Sequence, residues 1–264
     1  SETRWREVMQ IRRGYKYRLK RSRSAEPHFR RFAGACRFVW NKILAINEGR
    51  YLAGVPRLSY YDAAALVAWW KESEEYGWLR EVDSQILQQC LKDLERAYAN
   101  CFAGRAAPPR FRKKFLADSF RYPQRFKVDG RKVYLPKIGW AEFWHSQNIE
   151  GTVKSVTVSR DGTHWTVSFQ VEMEVDTPIH QASAAIGIDL GIATFAAFSD
   201  GTLHPPLNAY RKAEKQKARM QRRLAGMVQY SQNWKKQQRR IAKLDSRTAN
   251  CRHDFLHKLS TDTS

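Results

Sequence analysis

Residues Gln10 to Leu19 alternate as a half-buried strand does, with Tyr15 and Tyr17 on one face and Lys16 and Arg18 on the other. No strand lies near them in the sequence. A lone strand leaves its backbone donors and acceptors unpaired, so the ladder has to be completed from far along the chain. The next stretch of the chain is helical instead. Phe29, Phe32, Cys36, Val39, Ile43 and Ile46 recur at three- and four-residue steps and predict a helix over Ala25–Gly49. Ser59 starts a second helix rich in Ala and Trp. Asp83 or Ser84 caps a third, whose stripe of Ile86, Leu87, Cys90, Leu91, Leu94, Tyr98 and Phe102 stops before Gly104. Beyond the Pro108-Pro109 break the pattern turns to β. Arg125–Val128 and Lys132–Leu135 flank an Asp129-Gly130 turn, and Val153–Ser159 and His164–Val171 flank another at Asp161-Gly162. The strand Gln10–Leu19 is expected to join this later sheet, which makes the helical section an insertion into a small β-barrel.

The chain carries 47 basic and 26 acidic residues, a net charge of +21, and a charge this large points to a polyanionic partner. Its distribution says more than its sum. Ile11 to Arg23 holds seven basic residues and no acid, Arg105 to Lys132 ten against two, and Arg211 to Lys258 fifteen against three. Tyr60 to Glu95, between them, holds three basic against eight acidic residues. Separate basic segments on a folded body fit several nucleic-acid-contacting surfaces better than one basic tail. No membrane association is expected: no apolar run approaches the roughly 18 residues of a span, and neither a signal-type start nor a lipidation motif is visible. Cys36, Cys90, Cys101 and Cys251 form no CxxC pair, so they read as buried thiols in a reducing cytoplasm, with no zinc site. His253 and His257 lie four apart on a helix, but with no third ligand they read as surface histidines.

A linker near Asp176 to Ala184 leads to an apolar strand, Ile186-Gly-Ile188-Asp189, which ends in a single carboxylate followed by Gly191. Thr194 to Phe198 forms an antiparallel partner before a turn at Asp200-Gly201. An RNase H-like nuclease needs a rigid strand that aims a carboxylate at a divalent ion, with a glycine that admits the substrate phosphate, so Asp189 is the candidate catalytic and metal-binding residue. Two basic helices come next, near Ala209–Ala225 and Asn233–Leu259, with Met220, Leu224, Met227, Trp234, Ile241 and Leu244 as a thin apolar seam. Arg222, Arg223, Lys235, Lys236, Arg239 and Arg240 are their candidate nucleic-acid contacts.

Further candidates come from the basic segments interleaved with aromatics. Lys16, Arg18, Arg110, Arg112, Lys113, Lys114 and Arg121 are expected to grip the backbone. Tyr15, Tyr17, Phe111, Phe120, Tyr122 and Phe126 could stack bases or fill the barrel core. Asn41, Gln85, Gln88 and Gln89 are amides on the inserted helices, of the type that reads adenine edges or serves as ordinary helix surface.

The order of the motifs resembles the transposon-encoded TnpB (OrfB) family, compact relatives of the type V CRISPR effector nucleases. The resemblance runs from about Met9 through YKYRL at Tyr15–Leu19, RFVWNKIL at Arg37–Leu44, SQILQQCLKDLERAY at Ser84–Tyr98 and PRFRKK at Pro109–Lys114. LPKIGW at Leu135–Trp140, SVTVSRDGTHWTVSF at Ser155–Phe169, GIDLGIATFAAFSDG at Gly187–Gly201 and RHDFLHKLS at Arg252–Ser260 complete it.

The resemblance implies an α+β multidomain protein: a wedge-type β-barrel (9–24 and 105–178), an inserted helical recognition bundle (25–104), and a partial RuvC (RNase H-like) domain with long basic helices (179–264). It implies a prokaryotic, cytoplasmic, RNA-guided DNA endonuclease that binds a guide RNA and double-stranded target DNA and cleaves with Mg²⁺ held by an Asp, Glu, Asp set. Asp189 matches the first Asp of that set. The strand carrying the second acid, the four-cysteine zinc element and the third acid have no counterparts here, so the chain is read as a C-terminally truncated or split version. Three readings stay open: the RNA-guided nuclease, a catalytically dead RNA-guided DNA-binding protein or transposon remnant, and a plain RNA-binding protein.

Overall fold

The computed structural model describes residues 8–114, 118–176 and 185–262. The chain divides into two compact units, 1–177 and 178–264.

The first unit is organised by strand β1 (Val8–Arg18), which pairs antiparallel with β7 (His164–Asp176) along its whole length, from Val8 opposite Asp176 to Arg18 opposite Thr166. This is the distant partner that the isolated alternation of Gln10–Leu19 required. β7 also pairs with β6 (Thr152–Asp161) across a two-residue turn in which Gly162 takes a positive φ of 55°. The sheet order is β1-β7-β6-β2, with β2 at Ser119–Tyr122. A second sheet has the order β3 (Lys127–Asp129), β4 (Lys132–Leu135), β5 (Gly139–Glu142), and its first hairpin turns on Gly130 at φ 52°.

Leu19 joins the two sheets. It bridges antiparallel to Phe143, the Trp144 N–H donates to Arg18 O at 2.8 Å, and the Lys20 N–H donates to Glu142 O at 2.8 Å. The rings of Tyr17, Phe143 and Phe169 meet at this seam with centroids 5.1 to 5.8 Å apart, and all three are buried. Burial of three aromatic side chains at one junction is worth several kcal/mol on the usual scale of about 25 cal/mol per Å².

The inserted helices are α1 (Ala25–Leu52), α2 (Tyr60–Glu72) and α3 (Ser84–Phe102), with a 3-10 turn at Gly77–Glu81. Ser59 and Asp62 form a reciprocal capping box on α2, and Asp83 caps α3 by accepting from the Gln85 N–H at 2.9 Å. Phe29 and Phe32 of α1 seat the insertion on the β-sheet through Phe120 at 6.2 and 5.7 Å and, for Phe29, Trp165 at 5.5 Å.

Strands β2 and β5 are not visible in the sequence pattern. In β2 the alternation of Phe120 and Tyr122 inward spans only four residues, and it lies in a basic, aromatic stretch that suits base stacking as well as a core strand. The cysteine reading also needs correction. Cys36 and Cys90 are buried, but Cys101 is half-buried and Cys251 is exposed on the last helix; all four are free.

The second unit holds a three-stranded antiparallel sheet in the order β10 (Leu203–His204), β9 (Ala196–Phe198), β8 (Ile188–Leu190). It continues into a helical hairpin of α4 (Ala209–Ala225) and α5 (Gln232–Asp262). Ser231 caps α5, its hydroxyl accepting from the Trp234 N–H at 3.1 Å. Within the hairpin, the buried Gln237 amide donates to Met220 O at 3.0 Å and Lys217 pairs with Asp245 at 2.7 Å. Phe195 packs on Phe255 with ring centroids 5.1 Å apart, which ties the sheet to α5.

Gly151, just before β6, takes φ +90°, and a Cβ there would meet Glu172 O at 2.6 Å and Met173 Cβ at 2.8 Å. Gly151→Ala is therefore expected to destabilise the first unit by roughly 2–3 kcal/mol, read as a drop in denaturation midpoint. Gly130→Ala shares the positive φ but meets nothing within 4 Å, and it should cost only about 1–2 kcal/mol. Equal losses for the two variants would show that the steric contact at Gly151 contributes nothing.

Candidate nucleic-acid interface and carboxylate

Two of the sequence motifs turn out to be one physical unit. The Trp40 indole N–H donates to Arg110 O at 3.0 Å. The Asn41 side-chain amide donates to Arg112 O at 3.0 Å and accepts from the Arg112 N–H at 2.8 Å. The Arg112 guanidinium then stacks on the Trp40 ring at 3.6 Å, a favourable cation–π distance. Helix α1 thus holds the backbone of the basic segment while Arg110, Lys113 and Lys114 point outward, exposed. The Asn41 amide thus spends one N–H and one acceptor position of its oxygen on this clamp.

Other expected contacts are also committed to the fold. Arg121 donates to Asp93 at 2.9 Å and to Gln89 at 3.0 Å, which joins β2 to α3. Gln89 is thereby occupied, Gln88 is exposed, and the Gln85 side-chain oxygen is buried with no hydrogen-bond partner among the described residues. A small pocket of about 110 Å³ opens at this junction, with Cys36, Gln89, Cys90, Asp93, Arg112 and Arg121 on its wall. Tyr15, Tyr17, Phe120 and Tyr122 all lie in the core, Phe126 packs against it, and Phe111 alone of these rings is largely exposed. The Tyr122 hydroxyl donates to Pro136 O at 2.6 Å, and burial holds its phenol in the neutral form.

On the outer side of β1, Lys16 and Arg18 are exposed as the alternation predicts. Lys16 pairs with Asp161 at 3.0 Å, and Arg18 meets the His164 ring at 3.0 Å. In the second unit, Arg222, Arg223, Lys235, Lys236, Arg239 and Arg240 are all exposed, and none of the six pairs with a carboxylate among the described residues. Only Lys217 and Lys258 of this hairpin form ion pairs there, with Asp245 and Asp254. The α4–α5 hairpin thus gathers expected phosphate contacts whose charge is unspent among the described residues.

Asp189 lies on β8 opposite Ala197 and is exposed. Ile186, Ile188, Leu190 and Ile192 flank it and are also exposed, from 54% for Ile188 to 97% for Ile192. Gly191 has a local structural reason to be glycine, since a Cβ would meet Thr194 O at 2.9 Å in the turn to β9. Asp200 is engaged by the Thr202 N–H at 2.8 Å, which holds its carboxyl below the usual range. Among the described residues no group of three His, Cys, Asp or Glu side chains could hold a metal. One carboxylate leaves Mg²⁺ mostly to water, so Asp189 by itself does not make a Mg²⁺ site. Among these residues, too, no helix is long and apolar enough to cross a membrane.

Comparison with known proteins gives these features a context. A family of the OrfB, IS605 type described as "Probable transposase" matches residues 168–263, and its "Helix-turn-helix domain" matches residues 9–54. Over 252 residues the chain is 45% identical to an Escherichia coli (strain K12) protein named "Putative RNA-guided DNA endonuclease InsQ", covering 95% of this chain and 63% of that one. A Streptomyces pristinaespiralis protein named "Putative RNA-guided DNA endonuclease" is 34% identical over 262 residues, covering 96% of this chain and 64% of that one. The chain thus spans somewhat under two thirds of the length of these relatives. Its fold is similar to a chain in the cryo-EM structure of a Cas12f1-sgRNA-target DNA complex, with a TM-score of 0.51 at 9% identity over 96% of this chain and 78% of that one. With family matches in both compact units and a relative that aligns along 95% of this chain, the chain belongs to the OrfB (TnpB) family of transposon-encoded proteins.

Proposed function

We propose that this chain is the guide-RNA-binding and DNA-engaging part of an RNA-guided DNA endonuclease of the TnpB type. The observation that carries this reading is the 45% identity along 95% of the chain to a protein bearing that description. The six exposed cations of α4 and α5 that meet no carboxylate among the described residues support it on physical grounds. In this reading residues 9–24 and 105–178 are the wedge-type barrel, 25–104 the recognition insertion, and 179–264 part of a RuvC-like domain. The protein works in the prokaryotic cytoplasm with a guide RNA from its own element and on double-stranded target DNA. Asp189 is one carboxylate of a Mg²⁺ site that the described residues do not complete.

A second reading, RNA-guided DNA binding without cleavage, is favoured because no group of three His, Cys, Asp or Glu side chains among the described residues could hold a metal. The two are separated by mixing the chain with RNA transcribed from its flanking sequence, target duplex and Mg²⁺. Cleavage that is lost in Asp189→Ala supports the nuclease; stable binding of target with no cleavage by the intact chain supports the second reading.

The basic hairpin makes a separate expectation. Neutralising Lys235, Lys236, Arg239 and Arg240 to Gln should weaken RNA binding uniformly across sequences. It should also make log K fall less steeply with log salt, by up to about 3 in slope for four phosphate contacts at about 0.7 each. An unchanged slope in a salt titration would remove this face from the interface.

Asn41 gives a third. Asn41→Ala unpairs two backbone groups of Arg112, each worth about 1–3 kcal/mol where water cannot replace the bond. The variant should melt at lower temperature and bind all targets more weakly in proportion. A changed preference for target sequence at unchanged stability would restore Asn41 as a base reader.

A further inference from the structure

The solvent-facing side of the β3–β4–β5 sheet carries an arrangement that the basic motifs do not reveal. Along β5 and its extension the inward residues are Ala141 and Phe143, both buried, which turns Trp140, Glu142 and Trp144 outward. The two indoles are 50% and 61% exposed. Tyr134 lies directly opposite Trp140 on β4, with ring centroids 5.6 Å apart. Four residues along a strand place Trp140 and Trp144 about 13 Å apart on one face.

Cations are interleaved with these rings. Lys20 sits over the Trp144 ring at 5.2 Å and pairs with Glu142 at 2.9 Å, and Lys132 approaches the same carboxylate at 3.8 Å. Because the Trp144 N–H bonds Arg18 O, the outward row of Lys16 and Arg18 on β1, continued by Lys20, runs directly into the aromatic row. Three rings and a basic row therefore share one continuous surface, all within the first unit.

We infer that this face is a stacking platform for unpaired RNA bases, with Trp140 and Trp144 as the stacking surfaces, Tyr134 supporting Trp140, and Lys20, Lys132 and Arg18 holding the phosphates between. The inference deepens the proposed function and rests on its RNA-binding reading. The chemistry selects the occupant. Exposed aromatic rings separated by cations on a flat sheet match splayed bases joined by phosphates, and every base offers a π-face. A duplex keeps its bases inside the stack. A protein partner would favour a continuous apolar centre depleted of charge, whereas Lys20, Glu142 and Lys132 interrupt this one.

The test uses labelled oligouridine, a hairpin RNA with an unpaired loop, and a DNA duplex, each titrated with the intact chain by fluorescence anisotropy. Trp140→Ala and Trp144→Ala should each weaken oligouridine and loop binding about 5- to 100-fold with an unchanged salt slope, while Trp→Phe at either site retains most of the affinity. Arg18→Gln should instead lower the slope. Trp→Leu at the same two positions keeps apolar bulk without the indole face, and it gives the same answer if alanine disturbs the sheet. Full RNA affinity in the alanine or leucine variants overturns the platform while leaving RNA binding by the basic helices in place. Equal losses on duplex DNA overturn the assignment to unpaired bases. An intact chain that binds none of the RNAs overturns both the platform and the RNA-binding reading beneath it.

Discussion

The pairing of β1 with β7 is the constraint on which the first unit depends. Arg18 and Thr166 lie side by side although the whole helical section and several short strands separate them in sequence. The entropy of closing so long a loop grows only as the logarithm of its length, whereas the strand pair supplies a continuous ladder and two buried tyrosines. Once β1 is fixed, Tyr15, Tyr17 and Leu19 must point inward, and Lys16, Arg18 and Lys20 must point away from the core. The basic row on the outside is thus a consequence of the aromatic row on the inside.

The same pairing makes the helices a true insertion, entered after β1 and left before β2. The return is secured by side chains. Trp40 and Asn41 take up three backbone hydrogen bonds of Arg110 and Arg112, and Arg37 meets the nearly buried Asp118 at 2.7 Å. A segment this basic would otherwise repel itself, and its backbone would compete for water. Holding the main chain from beneath leaves Arg110, Lys113 and Lys114 presented at the surface.

Much of this was legible in the sequence because period and turn chemistry are local. The three helices, their Ser59 and Asp83 caps, both Gly-centred hairpins and the two basic helices all come from such signals. The need of β1 for a distant partner was legible too, although the register was not. β2 and β5 escaped because four residues give too little alternation to stand out. The site was less readable. Amide and guanidinium groups look alike in sequence whether they face solvent or each other, so the hydrogen bonds by which Asn41, Gln89 and Arg121 tie the fold together were not readable. Trp140 and Trp144 carry no sequence sign of exposure, because large aromatics usually are core, and only the outward phase of β5 shows otherwise.

The ion pairs separate the two units chemically. In the first, Arg12, Lys16, Lys20, Arg37, Arg57, Arg121 and Arg125 each meet a carboxylate, so a good part of the basic charge there is already balanced. In the second, six exposed cations of α4 and α5 meet none among the described residues. Charge without a partner attracts any polyanion and loses strength as salt rises; charge tied to a carboxylate contributes shape and position more than attraction. A unit whose cations are partly tied gains by a second means of discrimination, and exposed rings on a sheet supply one, since stacking depends weakly on salt and requires unpaired bases. On the proposed reading, general affinity belongs to the hairpin and selectivity for single-stranded RNA to the β3–β4–β5 face, each set by what the neighbouring acids leave free.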